Sequence, residues 1–299
     1  MSNVSEVVAV AEPDEKQHER IRRLLKDPNL LICRDYKELY KLDHIDAVDI
    51  ILPHNLHMDA TIQASKQGWH ILVEKVMARN TWECRRMIEA CEDANVLLAI
   101  CHDRRYAGDW VALKRVIETG VLGKILFWKL EHNQDVLVPR GSWIRNKDMI
   151  GGGAIMSCLT HQIDALRWMG GEVSEINAMT LVETGRMEGE CIGVVNAKMD
   201  SGALALLSIN WHTQSNDSQE FPLWYEFIHV TGTYGEAYFM HGKDKNNGTF
   251  VKPRFTESGR RMFEQDGIFF TFEKGSDDFV KVEHDKVGSG HIKCIEEFI

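Results

Sequence analysis

Gly151-Gly152-Gly153-Ala154-Ile155-Met156-Ser157-Cys158-Leu159-Thr160-His161-Gln162-Ile163-Asp164 is the stretch on which the reading of this chain turns. Three consecutive glycines allow close backbone approach or a positive φ. Ile155, Leu159, Ile163 and Leu166 then recur at helical spacing, and Gly170-Gly171 marks the end of the helix. On such a helix Ser157 and His161 stand at i and i+4, with Asp164 one turn further on the same side. A polar stripe on an otherwise apolar helix admits two readings. One is a core histidine satisfied by Asp164. The other is an acid/base group facing a cleft.

On the N-terminal side, apolar runs alternate with helical segments. Glu6 to Ala11 and Ala47 to Leu52 read as buried strands, and Leu30 to Cys33, His70 to Val73 and Val96 to Cys101 as further strands. Helices are expected after Glu12-Pro13-Asp14, near Tyr36 to Leu42, after Asn55 as a cap, and over Thr81 to Asp93. Strands alternating with helices of this length make a doubly wound parallel sheet. After His102 the rhythm changes. A helix at Trp110 to Glu118 and a strand at Lys124 to His132 lead into the glycine stretch. Strand-like runs then follow at Glu175 to Val182, Cys191 to Met199, Ala203 to Trp211, Trp224 to Gly232 and Glu236 to Met240. Their Gly, Asn and Asp turns predict an antiparallel sheet. Residues 242–248 and 273–290 read as polar loops, and 291–299 as an amphipathic helix that stops in mid-pattern.

Composition narrows the function. A chain of 299 residues buries one sizeable core or two smaller ones. Its net charge of −10 argues against a nucleic-acid partner. No apolar stretch approaches the roughly 20 residues of a membrane span, and no signal peptide is visible. Seven scattered cysteines, mostly inside apolar runs, read as reduced thiols of a cytoplasmic protein. His54 and His57 lack neighbours that would complete a metal site, so no metal is expected.

Three further motifs join the glycine stretch: Pro53-His54-Asn55-Leu56-His57 after one strand, Glu74-Lys75-Val76 after another, and His102-Asp103-Arg104-Arg105-Tyr106 after a third. In this order and spacing, over essentially the whole chain, they resemble the Gfo/Idh/MocA family of nicotinamide-dependent oxidoreductases acting on sugars, inositols and related polyols. The resemblance implies a Rossmann-like doubly wound domain over 1–103, lacking its first strand. An α+β substrate and oligomerisation domain with a mostly antiparallel sheet would span 104–299. It implies Lys75 and His161 as catalytic residues. Glu12, Pro53, His54, His57, Glu74 and Lys75 would line the cofactor. Arg104, Tyr106, Trp143, Arg145, Ser157 and His161 would line the substrate. Lysine at a parallel-strand terminus suits stabilisation of a developing alkoxide, and histidine suits removal of the hydroxyl proton as hydride leaves. The outer face of the second sheet would pair with another subunit.

Two departures from the family pattern stand out. Val76 follows Lys75 where a proline is usual, and Ser157 occupies the place of a common aspartate four residues before His161. There is also no Gly-x-Gly-x-x-Gly turn to seat a pyrophosphate on a helix N-terminus. The acidic residue that takes the ribose hydroxyls lies about 20 positions beyond those glycines. Glu12 fits that role, and counting back from it passes Met1. The expectation is a longer reading frame truncated at both ends; the alternative is a short form that binds no dinucleotide. With strand 1 of the order 3-2-1-4-5-6 absent, its two neighbours would be left unpaired in mid-sheet. The expected cofactor is NAD rather than NADP, because Glu12 would repel a 2′-phosphate. Two other activities stay open: an NAD-dependent glycosidase of the same family, and a non-catalytic sugar or dinucleotide sensor.

Overall fold

The parallel strands of the first hundred residues form two separate sheets. The computed structural model describes residues 5–136, 138–212, 224–242, 247–253, 260–265, 268–273, 278–284 and 289–299. They fall into two units, residues 1–101 with 295–299, and residues 102–294.

In the first unit, β1 (Ala9–Ala11) pairs in parallel with β2 (Leu31–Cys33), the helix α1 (Glu15–Leu25) lying between them in sequence. Separately, β3 (Ala47–Ile50), β4 (His70–Glu74) and β5 (Leu98–Cys101) form a parallel sheet with β4 in the middle. The helices α2 (His54–Lys66) and α3 (Thr81–Ala94) complete its two crossovers. Neither β1 nor β3 has a second strand neighbour among the described residues. Their burial corrects the sequence reading. Val7 and Val8 in the first run are 42% and 51% exposed, and Ile51 in the other is 70% exposed. These three residues flank the paired segments Ala9–Ala11 and Ala47–Ile50, so no strand pairing among the described residues covers them. Ile71, Leu72 and Val73 of β4 are flanked on both sides and are buried. Complete burial of each such side chain contributes about 1.5–3 kcal/mol.

The second unit opens with α4 (Gly108–Glu118) and is built on an eight-stranded sheet. Its long strands are β6 (Ile125–Gln134), β7 (Val173–Leu181), β8 (Ile192–Met199), β9 (Leu204–Asn210), β10 (Trp224–Gly232) and β11 (Gly235–His241). Two more, β12 (Gly248–Pro253) and a short strand at Val280–Lys281, close one edge. All pairs in the sheet are antiparallel except β6 with β9. Alternation along β6 and β10 sends Trp128, Leu130, Ile228 and Val230 into one core, where Trp110 of α4 packs against Phe239 of β11 with ring centroids 5.5 Å apart. The sequence reading left out β12 and a second small sheet formed by Arg260–Gln265, Ile268–Glu273 and Glu283–His284. Glu283–His284 and Val280–Lys281 lie within the segment read as a polar loop. These strands are short and take their pairing from neighbours, so no local period announces them. The amphipathic segment near the end is helical over Gly290–Phe298.

Candidate active site

Two of the three glycines have a physical reason to be glycine. Gly151 takes φ +85° to close the short helix α5 (Lys147–Ile150). At Gly153 a Cβ would meet the Glu190 carbonyl oxygen at 2.1 Å and its nitrogen at 2.4 Å. Gly152 is packed less tightly, with Met156 Cβ at 3.4 Å. That close approach lets Glu190 cap the next segment: Ala154 N–H donates to its backbone oxygen at 2.7 Å and Ile155 N–H to its carboxylate at 3.2 Å. The loop carrying Glu190 is tied down by two arginines. Arg145 donates to the carbonyls of Val138 (3.1 Å) and Gly185 (2.8 Å), and Arg186 to Asp135 (2.9 Å) and the Trp211 carbonyl (2.6 Å). Arg145, expected beside the substrate, thus has both terminal nitrogens on main-chain carbonyls. Trp143 packs against the core of the unit.

The chain then makes one π-helical turn, Ile155–Leu159, before the α-helix α6 (Thr160–Gly170), which ends at Gly171 with φ +89°. Such turns are concentrated at functional sites. Ser157 and His161 are both buried, at 8% and 7% exposure. Asp164 is not the partner of His161. It takes a bidentate pair from Arg105 at 2.7 and 2.8 Å, and His102 lies 3.7 Å away. The carboxylate nearest His161 is Asp103, 3.8 Å from Nδ1. Asp103 holds Arg104 at 2.9 Å, and Arg104 in turn reaches Glu226 at 3.3 Å. Arg104, expected to meet substrate, links two buried carboxylates. Tyr106 ends the same 3₁₀ turn, Asp103–Tyr106, and is partly buried.

Behind this row sits a polar pair that the sequence reading missed. His132 on β6 and Glu226 on β10 are directly opposed in the strand register. Their side chains lie 3.3 Å apart, and both residues are buried. They continue the core-facing phase of Trp128 and Leu130 on one strand and of Ile228 and Val230 on the other. Two ionisable residues in an apolar phase were the available signal. Burial alone would lower the His132 pKa. Favourable interactions with the neighbouring Cys158 and Glu226 outweigh it and push the ring up to about 9. Burial opposes the Glu226 charge too, and His132 and Arg104 overcome it and lower that carboxyl.

In the first unit the predicted cofactor residues gather at strand C-termini, where parallel sheets bind ligands. Glu12 follows β1, with one carboxylate oxygen accepting from Asp14 N–H at 2.7 Å. Pro53 is the N-cap of α2 after β3, and His54 begins the helix. Glu74 and Lys75 end β4 and follow it, and the Lys75–Val76 peptide bond is cis. His57 is fully buried. Its Nδ1 lies 2.9 Å from the Val76 carbonyl and its Nε2 2.8 Å from that of Leu52. It fastens the loop after Lys75 to the end of β3 from within the unit, which differs from the cofactor contact expected of it. Asn55 does not cap α2; its Oδ1 is buried and accepts no hydrogen bond. A buried, orphaned amide oxygen at a strand-to-helix turn fits a site that receives hydroxyl or amide donors of a dinucleotide.

Comparison with known proteins identifies the class. Residues 1–102 match the domain described as the oxidoreductase family, NAD-binding Rossmann fold, and residues 110–238 match the GFO/IDH/MocA C-terminal domain. The chain belongs to the Gfo/Idh/MocA family. Levoglucosan dehydrogenase of Pseudarthrobacter phenanthrenivorans is 32% identical over 148 residues, covering 48% of this chain and 38% of that protein. Myo-inositol 2-dehydrogenase of Thermotoga maritima is 30% identical over 179 residues, covering 58% and 52%. The chain therefore spans about half or less of these curated relatives. A structure of levoglucosan dehydrogenase with NADH and L-sorbose superposes with a TM-score of 0.75 at 24% identity, covering 97% of this chain and 78% of that one. This supports a Rossmann-like domain followed by one with a mostly antiparallel sheet.

Proposed function

We propose that the protein is an NAD-dependent oxidoreductase that removes hydride from a hydroxyl-bearing carbon of a sugar, inositol or related polyol. The observation that carries this reading is His161, buried at the start of α6 beside the Asp103 carboxylate. Such a setting suits proton removal from an alcohol. When bound, the nicotinamide supplies the hydride acceptor. His161 takes the hydroxyl proton, and Lys75 donates a hydrogen bond to the oxygen as negative charge develops. His57 holds the loop that follows Lys75. Glu12 accepts from the ribose hydroxyls, which favours NAD over NADP. Tyr106, Trp143 and Ser157 remain the proposed substrate contacts. Arg104 links Asp103 to Glu226, and Arg145 holds the Val138 and Gly185 carbonyls.

The proposed partner is a small polyol, with no nucleic acid. No described helix is long and apolar enough to cross a membrane. Seven free cysteines accord with a reducing cytoplasm. Exposed Ile176, Met179, Val194 and Leu204 on β7, β8 and β9 support a homo-oligomer through that sheet. The test is to follow NADH formation with anhydrosugars and inositols, alongside release of an aryl leaving group from aryl glycosides. NADH formation is expected. Aryl release without NADH accumulation would point to the glycosidase, and ligand binding with neither to a sensor.

A further inference from the structure

Asp103 has both oxygens committed in an asymmetric way. Oδ2 receives Arg104 at 2.9 Å and lies 3.5 Å from His291 Nδ1, while Oδ1 faces His161 Nδ1 at 3.8 Å. The Asp103 side chain is 7% exposed and that of His161 8%, so little water screens them from one another. Arg104 is fixed from its far side by Glu226, and Glu226 by His132 and by Gln162 Nε2 at 3.5 Å. The result is a row of alternating charge, anchored on the strand pair β6 and β10 and ending at the His161 ring. The residue one turn before His161, Ser157, is neutral. Asp164, one turn after it, is occupied by Arg105 and His102. Asp103 is therefore the carboxylate placed to act on His161.

We propose that Asp103 is the positioning residue of His161: it accepts from Nδ1–H, so that Nε2 presents its lone pair to the substrate hydroxyl, and the Arg104–Glu226 pair holds it in place. It rests on the reading of His161 as the base. In the step itself the hydroxyl O–H bond would break, its proton moving to Nε2 and its electron pair forming the new C=O bond, while the carbon's hydrogen would leave with the C–H electron pair to the hydride acceptor that a bound nicotinamide would supply. Asp103 stays ionised throughout and faces the imidazolium that forms. The 3.8 Å separation is long for a hydrogen bond and within ion-pair range, and contacts of this kind tighten when the ring gains its proton.

The test is ring-nitrogen NMR of the full chain with ¹⁵N-labelled histidine, the His161 signals being assigned by their loss in His161→Asn. Wild type should show His161 as the Nδ1–H tautomer. In Asp103→Asn its titration midpoint should fall by about one pH unit or more, as expected when an opposite charge within a few ångströms is removed. Adding Ser157→Asp to Asp103→Asn puts a carboxylate one helical turn from His161 and should raise the midpoint again. In steady state, Asp103→Asn should lower kcat at least ten-fold with KM within about two-fold, the split of a group that acts in the transition state. An Nε2–H tautomer in wild type would overturn the proposal without any variant. A midpoint that stays put in a folded Asp103→Asn chain would do the same. If the NMR behaves as expected while His161→Asn keeps full activity, the reading of His161 as the base has failed and the coupling to Asp103 stands.

Discussion

Two buried histidines in this chain have opposite kinds of partner. His57 in the first unit has main-chain carbonyls at both ring nitrogens, 2.9 and 2.8 Å away. His161 in the second faces a carboxylate that belongs to a row of charges. Carbonyls fix a ring as a strut, because moving it leaves buried acceptors without donors. A carboxylate favours the ring's charged form and so readies it to accept a proton. Burial is nearly the same at the two sites, so the partner, and not the depth, distinguishes them.

The largest effect expected on the first-unit side falls on Lys75, whose following loop His57 holds. Lys75→Met should lower kcat by about 10²–10³, the usual cost of losing a donor to a developing oxyanion. Steady-state oxidation rates check this, and a loss confined to KM would make Lys75 a binding residue only.

Local period reached some of this molecule and not the rest. The strand Trp224–Gly232 and the end of α6 at Gly170-Gly171 follow from alternation and from a helix-stopping glycine. The same logic failed on residues 6–11, because an apolar run does not say whether a neighbouring strand will cover it. The Arg104–Glu226 contact joins residues 122 positions apart, and no spacing rule links them. Asp164 looked like the partner of His161 from helix geometry alone. Arg105, reaching across from the 3₁₀ turn, takes it instead.

The row behind His161 should respond to pH through its buried pair, His132 and Glu226. The folded pKa of His132, about 9, lies above the unfolded value near 6.5. Its contribution to stability is therefore complete below about pH 6.5 and is lost as pH rises through about 9. Glu226, held below its usual value, contributes above the ordinary carboxylate range, and that contribution is lost in acid. Urea unfolding between pH 6 and 10 should show stability falling across that window, with the slope flattened in Glu226→Gln. An unchanged slope would mean that the pair does not titrate as a unit.

His57→Leu removes the ring N–H available to the Leu52 or Val76 carbonyl and leaves a buried acceptor unsatisfied, at a cost of about 1–3 kcal/mol by thermal or urea unfolding. Gly153→Ala should cost a similar amount, about 1–3 kcal/mol, because its Cβ would press on the backbone of Glu190. Gly152→Ala next to it meets only ordinary contacts and should stay within about 0.5 kcal/mol of wild type. Equal losses at the two glycines would place the constraint in backbone flexibility rather than in the approach of Glu190.

The most direct measurement is kcat/KM for polyol oxidation against pH in wild type, His57→Leu and His161→Asn. Wild type and His57→Leu should share an acidic limb, where protonation removes the base, even if His57→Leu is less stable. His161→Asn should lose that limb and run about 10²–10⁴-fold slower in kcat, the usual contribution of a general base. An acidic limb that persists unchanged in an active His161→Asn enzyme would contradict the account and make His161 a second strut.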